Sequence, residues 1–283
     1  MNNQTSEQDG YIHGNSQQEQ HRLSLINDLL NKACLRELNI QPGDKILDVG
    51  CGLGQFSRLM AKTVGEQGHV VGIERDRDQI SKAEGLANHV GESDLVEFRQ
   101  GDALNLTMDE TEWGSFEIAH SRFLLEHVSS PEQVVGEMVR CVRPGGKVFI
   151  SDDDHGNFRP WPQPREFGPI WDAYVRSFIR LGNDPFVGRR LVSLLFDAGL
   201  TSVRNTSVFF GGCAGDERFE AVADNLIRAL EGAKDTMLID EEFDEASFKA
   251  GIDGLHDWKS HPNSALWYTV CCAEGVVPKV EEE

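Results

Sequence analysis

The stretch ILDVGCGLG, Ile46 to Gly54, constrains the fold more than any other part of the chain. An apolar run rich in strand-forming residues ends in three glycines at alternate positions, Gly50, Gly52 and Gly54, and a helical pattern follows at once. A strand that feeds a glycine-rich turn and then a helix brings backbone N–H groups close to a ligand. Tight strand-to-helix turns also use glycine for conformational reasons alone, so the turn by itself names no ligand.

The neighbouring segments repeat the alternation. Strands are predicted at Lys45 to Val49, His69 to Glu74, Val96 to Gln100, Phe116 to Ser121 and Lys147 to Ser151, with helices at Gln55 to Val64, Arg77 to Val90 and Glu132 to Val142. Such alternation argues for an α/β fold, a parallel sheet with helices on both faces. Pro131 suits the first turn of the third helix, and RPGG, Arg143 to Gly146, stops it. Ahead of the first strand, Leu23, Ile26, Leu29, Leu30, Cys34 and Leu38 recur at roughly helical spacing, as in a helix packed on the sheet. After the fifth strand, Phe167 to Phe178 and Leu191 to Ala198 read as helices and Thr201 to Phe210 as a strand. Residues 217–257 read as helical, and Ser264 to Val276 as a last strand.

The organisation expected is a flexible arm at 1–20, a cofactor-binding Rossmann-like core at 21–155, and the rest of the core at 156–276. That last part carries helical lid insertions near 160–190 and 215–258, and 277–283 is a disordered tail. With 47 acidic and 27 basic residues the formal net charge is −20, which repels nucleic acid and anionic membranes. No run of about 18 apolar residues occurs, and the polar start lacks the features of a signal peptide. Cytoplasm is the expected compartment. The six cysteines show no metal spacing and read as reduced thiols.

Glu74 closes the second strand, where a carboxylate can accept both hydroxyls of a ribose. Asp102, after the third strand, can accept a hydrogen bond from an adenine amino group. A nicotinamide dinucleotide is the competing ligand, but the turn reads G-x-G-x-G and lacks the last glycine of G-x-G-x-x-G. DVGCGLG, Glu74, GDALN, FLLEHVSSP and RPGGKVFI, in that order, resemble the class I methyltransferases that use S-adenosylmethionine, over roughly residues 20–155. The resemblance implies a Rossmann-like, doubly wound, mostly parallel seven-stranded sheet with an antiparallel last strand. The cofactor would be S-adenosyl-L-methionine and the product S-adenosyl-L-homocysteine. The residues holding it would be Asp48, Gly50, Cys51, Gly52, Gly54, Glu74, Arg75, Asp102, Ala103, Ser121 and Arg122.

Ligands of open α/β sheets bind at the carboxyl ends of the strands, so HSRFLLEHV and SDDDHGNF should face the methyl donor. Strand alternation turns Asp152 or Asp154 to the cleft and Asp153 away. His155 is the candidate base and Asp152 the orienting carboxylate; capping of the strand end is the plainer role for both. Asp152, Asp154 and His155 could hold a metal, but with no other ligand cluster evident none is expected. His127 reads as packing or lining. YIHGNSQQEQHRL, with DDHG, resembles small-molecule methyltransferases whose N-terminal segment folds over the cofactor, which would bring Tyr11 and His13 near the transferring methyl. Trp161, Phe167, Trp171 and Tyr174 would join the lid, or else belong to the core.

The expected activity is methyl transfer to a small-molecule acceptor, nitrogen slightly favoured over oxygen, sulfur or carbon, by a monomer or homodimer. A protein-modifying methyltransferase and a non-catalytic S-adenosylmethionine-binding protein are the alternatives.

Overall fold

A computed structural model of the chain describes residues 17–216 and 218–279, with the backbone alone for residues 17–26 and 28. The first half alternates except that β4 follows β3 with no helix between them: α1 (Gln17–Leu38), β1 (Lys45–Val49), α2 (Gln55–Val64), β2 (His69–Glu74), α3 (Arg77–His89), β3 (Val96–Gln100), β4 (Phe116–Arg122), α4 (Pro131–Cys141) and β5 (Val142–Asp152). Then come β6 (Arg159–Trp161), α5 (Phe167–Arg180), α6 (Leu191–Asp197), β7 (Thr201–Phe209), β8 (Gly212–Cys213), α7 (Phe219–Gly232), α8 (Lys234–Met237), α9 (Glu245–Ser260), β9 (Ala265–Trp267) and β10 (Thr269–Val276).

Seven strands form one sheet in the order β3-β2-β1-β4-β5-β10-β7. β1 to β5 run parallel, and β10 is antiparallel to both β5 and β7. This is the Rossmann-like, doubly wound arrangement with an antiparallel last strand. Side-chain alternation sends neighbours to opposite faces: Ile46 packs with α1, α2 and α3 residues such as Leu30, Phe56 and Ala83, while Leu47 packs with Val134 and Met138 of α4 and Leu191 of α6. Both faces are buried, which is why the strands read as apolar runs.

Three details differ from expectation. RPGG lies inside β5, because the pairing jumps from Phe116↔Val142 to Ile118↔Lys147 and the intervening residues bulge out of register. The predicted last strand is two strands broken at Tyr268; β9 leaves the large sheet to pair with β6 and β8 in a small three-stranded one. The chain also continues past β10 in paired form at Val277, whose N–H donates to the Gly146 carbonyl at 2.9 Å.

Among the described residues no helix is long and apolar enough to cross a membrane.

Candidate active site

The strand order reverses at β1: β2 and β3 lie on one side and β4 on the other, the place where open α/β sheets hold ligands. A cavity of about 720 Å³ opens there. One end is lined by Asp48, Gly50, Cys51, Gly52, Glu74, Arg75, Asp102, Ala103 and Arg122, and the other by Glu126, Asp153, His155, Trp171, Tyr174 and Tyr268.

The turn after β1 is held by its own hydrogen bonds. The N–H groups of Gly50 and Cys51 both donate to the Ile73 carbonyl, at 2.8 and 3.0 Å, and so serve the fold rather than a ligand. Gly52, at φ 54°, donates its N–H to Glu74 Oε2 at 3.1 Å, while Glu74 Oε1 accepts from the N–H groups of Arg75 and Asp76 at 2.9 and 3.0 Å. Three backbone donors thus aim this carboxylate into the cavity, and Oε2, with a single donor, keeps a lone pair for a further one. Gly54 has another role. A Cβ there would lie 2.3 Å from the Phe98 ring, so the residue must be bare to let α2 start against β3, and it does not line the cavity.

Asp48 is buried and accepts from Ser57 Oγ at 2.5 Å, with His120 Nδ1 2.7 Å from its other oxygen, tying α2 and β4 to β1. Burial, then Asp48 and Glu74, pushes the Cys51 thiol well up, which keeps it neutral. Asp102 caps its own turn, accepting the Leu104 N–H at 2.9 Å. The Arg122 guanidinium is held by Asn27 and Asn31 of α1 and lies 4.4 Å from the Phe56 ring centroid. Ser121 is fully buried and outside the cavity lining. Tyr11 and His13 lie outside the described residues.

At the far end the acidic run departs from expectation. Asp152 is fully buried and turned away from the cavity, accepting the N–H groups of Leu124, Leu125 and Asp153 at 3.1, 2.7 and 3.0 Å. Asp154 is clamped by Arg189, at 2.6 and 2.8 Å. Asp153, expected to face away, lines the cavity and accepts the Tyr268 hydroxyl. The reversal follows from where β5 ends: beyond Asp152 the alternation of a strand no longer applies, and Asp152 is drawn under the turn after β4, whose Leu124 and Leu125 N–H groups it accepts. Burial, then Glu126 and Asp153, pushes the Asp152 carboxyl well up.

His155 is only 4% exposed, with Nε2 3.3 Å from Glu126 Oε2 and 4.0 Å from Asp153 Oδ2. Its Nδ1 is buried with no hydrogen-bond partner, and its ring stacks on Tyr174 at 5.4 Å between centroids. Burial lowers its pKa against the opposing pull of Asp153 and Asp154, so the imidazole is neutral near neutral pH. One atom each of Glu126, Asp153 and His155 lie within 4.8 Å of one another, within reach of one cation. The trio weighed from sequence as a metal site, where none was expected, Asp152, Asp154 and His155, shares only His155 with this group. Glu126 was missed as a site residue because it sits 29 positions before His155, in a turn that reads as apolar packing. His127 lines the cavity and stacks on Phe178 at 5.7 Å. Trp171 and Tyr174 face the cavity, Phe167 is core, and Trp161 is 66% exposed on β6 and no part of the wall.

A methyltransferase-domain family model matches residues 40–164. An uncharacterized 37.1 kDa protein in transposon TN4556 of Streptomyces fradiae is 30% identical over 186 residues, 65% of this chain and 52% of that protein. A demethylmenaquinone methyltransferase of Desulfitobacterium hafniense is 37% identical over 122 residues, 43% of this chain and 47% of the other. The chain thus spans about half the length of these curated relatives. A phosphoethanolamine N-methyltransferase of Haemonchus contortus, solved with S-adenosyl-L-methionine, superposes with a TM-score of 0.55 at 18% identity, covering 88% of this chain and 52% of that one. Residues 40–164 thus carry a methyltransferase domain, and the sheet built on them has the fold of the solved methyltransferase.

Proposed function

We propose that the chain transfers a methyl group from S-adenosyl-L-methionine to a small-molecule acceptor, with nitrogen favoured over oxygen, sulfur or carbon. The observation that carries this reading is the continuity of one cavity from the glycine turn and Glu74 to His155. When bound, the cofactor supplies an electrophilic methyl on its sulfonium. The residues present fit it: Glu74 is aimed by three N–H groups, Gly52 lines the cavity without a side chain, and Asp102 and Ala103 lie beyond. Asp48, Cys51, Arg75 and Arg122 complete that end, with Gly50 and Gly54 shaping the turn and Ser121 backing it from β4.

At the other end, a neutral His155 beside Glu126 can take the proton that an ammonium must lose before its nitrogen becomes a nucleophile. Residues 160–190 and 215–258 act as a lid over the core of 21–155, shutting out water. A lid over a closed wall of rings suits a small acceptor better than the side chain of a folded protein.

The test is to incubate the full chain with a metabolite extract and methyl-labelled S-adenosyl-L-methionine, and to look for mass gains of one methyl. Labelled products of low mass support the reading. Label only on protein, or cofactor binding without turnover across the pool, overturns it.

A further inference from the structure

The wall of the cavity is divided by charge. Its carboxylates and guanidiniums all come from the sheet side, at the carboxyl ends of β1 to β5 or in the turns that follow them. Among the described residues, α5 and α7 send no charged side chain into it.

Each of these helices sends an apolar stripe instead. From α5 it is Trp171, Tyr174 and Phe178, spaced i, i+3, i+7, and from α7 it is Val222, Leu226 and Ala229, spaced i, i+4, i+7. That spacing sets each trio on one helix face, and seven positions at a rise of about 1.5 Å make each stripe about 10 Å long. Asn225 of α7 is the amide among them. α9 backs both helices. A Cβ on its Gly251 would lie 2.7 Å from Ile170 of α5, and its Trp258 meets Phe219 of α7 edge-on at 5.4 Å between ring centroids. A third helix thus fixes where the two stripes stand.

Sheet side and helix side meet at His155, whose ring stacks on Tyr174 at 5.4 Å and meets Phe178 edge-on at 4.8 Å between centroids. A nucleophile placed at this edge has its body against the stripes. A hydrophilic body would give up water there and gain no hydrogen bond from the aliphatic and ring surfaces in exchange, whereas hydrocarbon gains both by leaving water and by close contact.

We propose that the methyl acceptor is a lipophilic molecule, with its nucleophilic atom at the His155 edge and a hydrocarbon body lying along the apolar stripes of α5 and α7. This rests on the function proposed above and narrows it, from small molecules in general to those whose bulk is apolar.

The experiment is calorimetric and needs no turnover. The full chain, saturated with S-adenosyl-L-homocysteine, is titrated with 1-butanol, 1-hexanol and 1-octanol, with the matching 1-alkylamines, and with triethylene glycol, a hydrophilic chain of similar length to 1-octanol. Affinity should rise by roughly fourfold per methylene, the scale of burying one, and the heat-capacity change of binding should grow more negative along each series. Triethylene glycol should bind at least roughly tenfold more weakly than 1-octanol, and Leu226→Asn and Ala229→Gln should each weaken 1-octanol by roughly tenfold or more, since a polar group then faces hydrocarbon. Unaltered affinity for S-adenosyl-L-homocysteine is the folding control for both. Fluorescence gives a reading that needs neither substitution: 1-octanol should shift the tryptophan emission of the unmodified chain, and Trp171→Phe, which keeps a ring in the wall, should remove the shift. Affinity independent of chain length, binding of no alcohol or amine, or a preference for triethylene glycol, while S-adenosyl-L-homocysteine binds normally, overturns the lipophilic class and leaves the methyltransferase reading standing. A length dependence that survives both substitutions, with no emission change traceable to Trp171, puts the hydrocarbon elsewhere and overturns the assignment to these helices. Failure of the unmodified chain to bind S-adenosyl-L-homocysteine removes the underlying function instead.

Discussion

The Glu74 carboxylate accepts the Gly52 N–H at 3.1 Å and so joins the carboxyl ends of β1 and β2 across the mouth of the cavity. One side chain therefore shapes the glycine turn and presents acceptor oxygens to a ligand. Glu74→Ala should weaken S-adenosyl-L-homocysteine binding by about 2 kcal/mol, the scale of hydrogen bonds to a charged acceptor. Glu74→Gln, which can still accept the Gly52 N–H, should lose less. Calorimetry on both folded variants checks this, and equal affinities for all three proteins would remove Glu74 from the site.

His155 carries the next expectation. His155→Ala should lower the turnover rate by roughly 100-fold or more, the usual contribution of a positioned base, and leave cofactor affinity nearly intact. Equal losses of rate, affinity and thermal stability would show a packing role.

The same residue predicts a pH response. Its folded pKa is depressed below the ordinary value of about 6.5, so the unfolded chain binds a proton more readily than the folded one. The stability it contributes is present above that ordinary value and is lost as pH falls below it toward the folded pKa. Urea denaturation at a series of pH values should show an acid-side decline that is smaller in His155→Phe, and identical profiles would remove His155 as its source.

Asp152 should behave as a structural residue. Asp152→Ala strips acceptors from the Leu124, Leu125 and Asp153 N–H groups and should cost about 2 kcal/mol or more, since each buried unsatisfied donor costs on the order of 1–3 kcal/mol. An unchanged urea midpoint would show that water takes over at no cost.

Gly54→Ala sets a Cβ 2.3 Å from Phe98 at a backbone φ of 67°. The left-handed conformation alone disfavours alanine by about 1 kcal/mol, and the clash adds roughly 1–3 kcal/mol. Phe98→Leu should recover part of the loss in thermal melts, because it removes the ring but not the backbone strain. No recovery would assign the whole effect to φ.

How far the sequence carries depends on the range of the force involved. The bounds of α2 are readable because apolar periodicity, the glycines before it and Gly65 after it are all local signals. β6, β8 and β9 are short and owe their pairing to residues more than 50 positions away, as in Trp161↔Ala265, so no local pattern announces them. The glycine turn and Glu74 stand out for the same local reason as α2. Glu126 does not, because its meaning depends on His155 arriving beside it from the next strand. Likewise the side to which Asp153 points is decided by where β5 stops pairing with β10, a property of the assembled sheet.

β10 lies between β5 and β7, though it follows both in the chain by many residues. During synthesis β1 to β5 can line up as they emerge, but the gap beside β5 stays open until residues 269–276 arrive. Their arrival pairs Cys271 with Asp152 and brings Tyr268 against Asp153. The cofactor end can thus take shape while the ribosome is still at work, whereas the acceptor end has to wait. A nascent chain halted before Tyr268 would carry half a binding site beside a raw sheet edge, a natural target for chaperones.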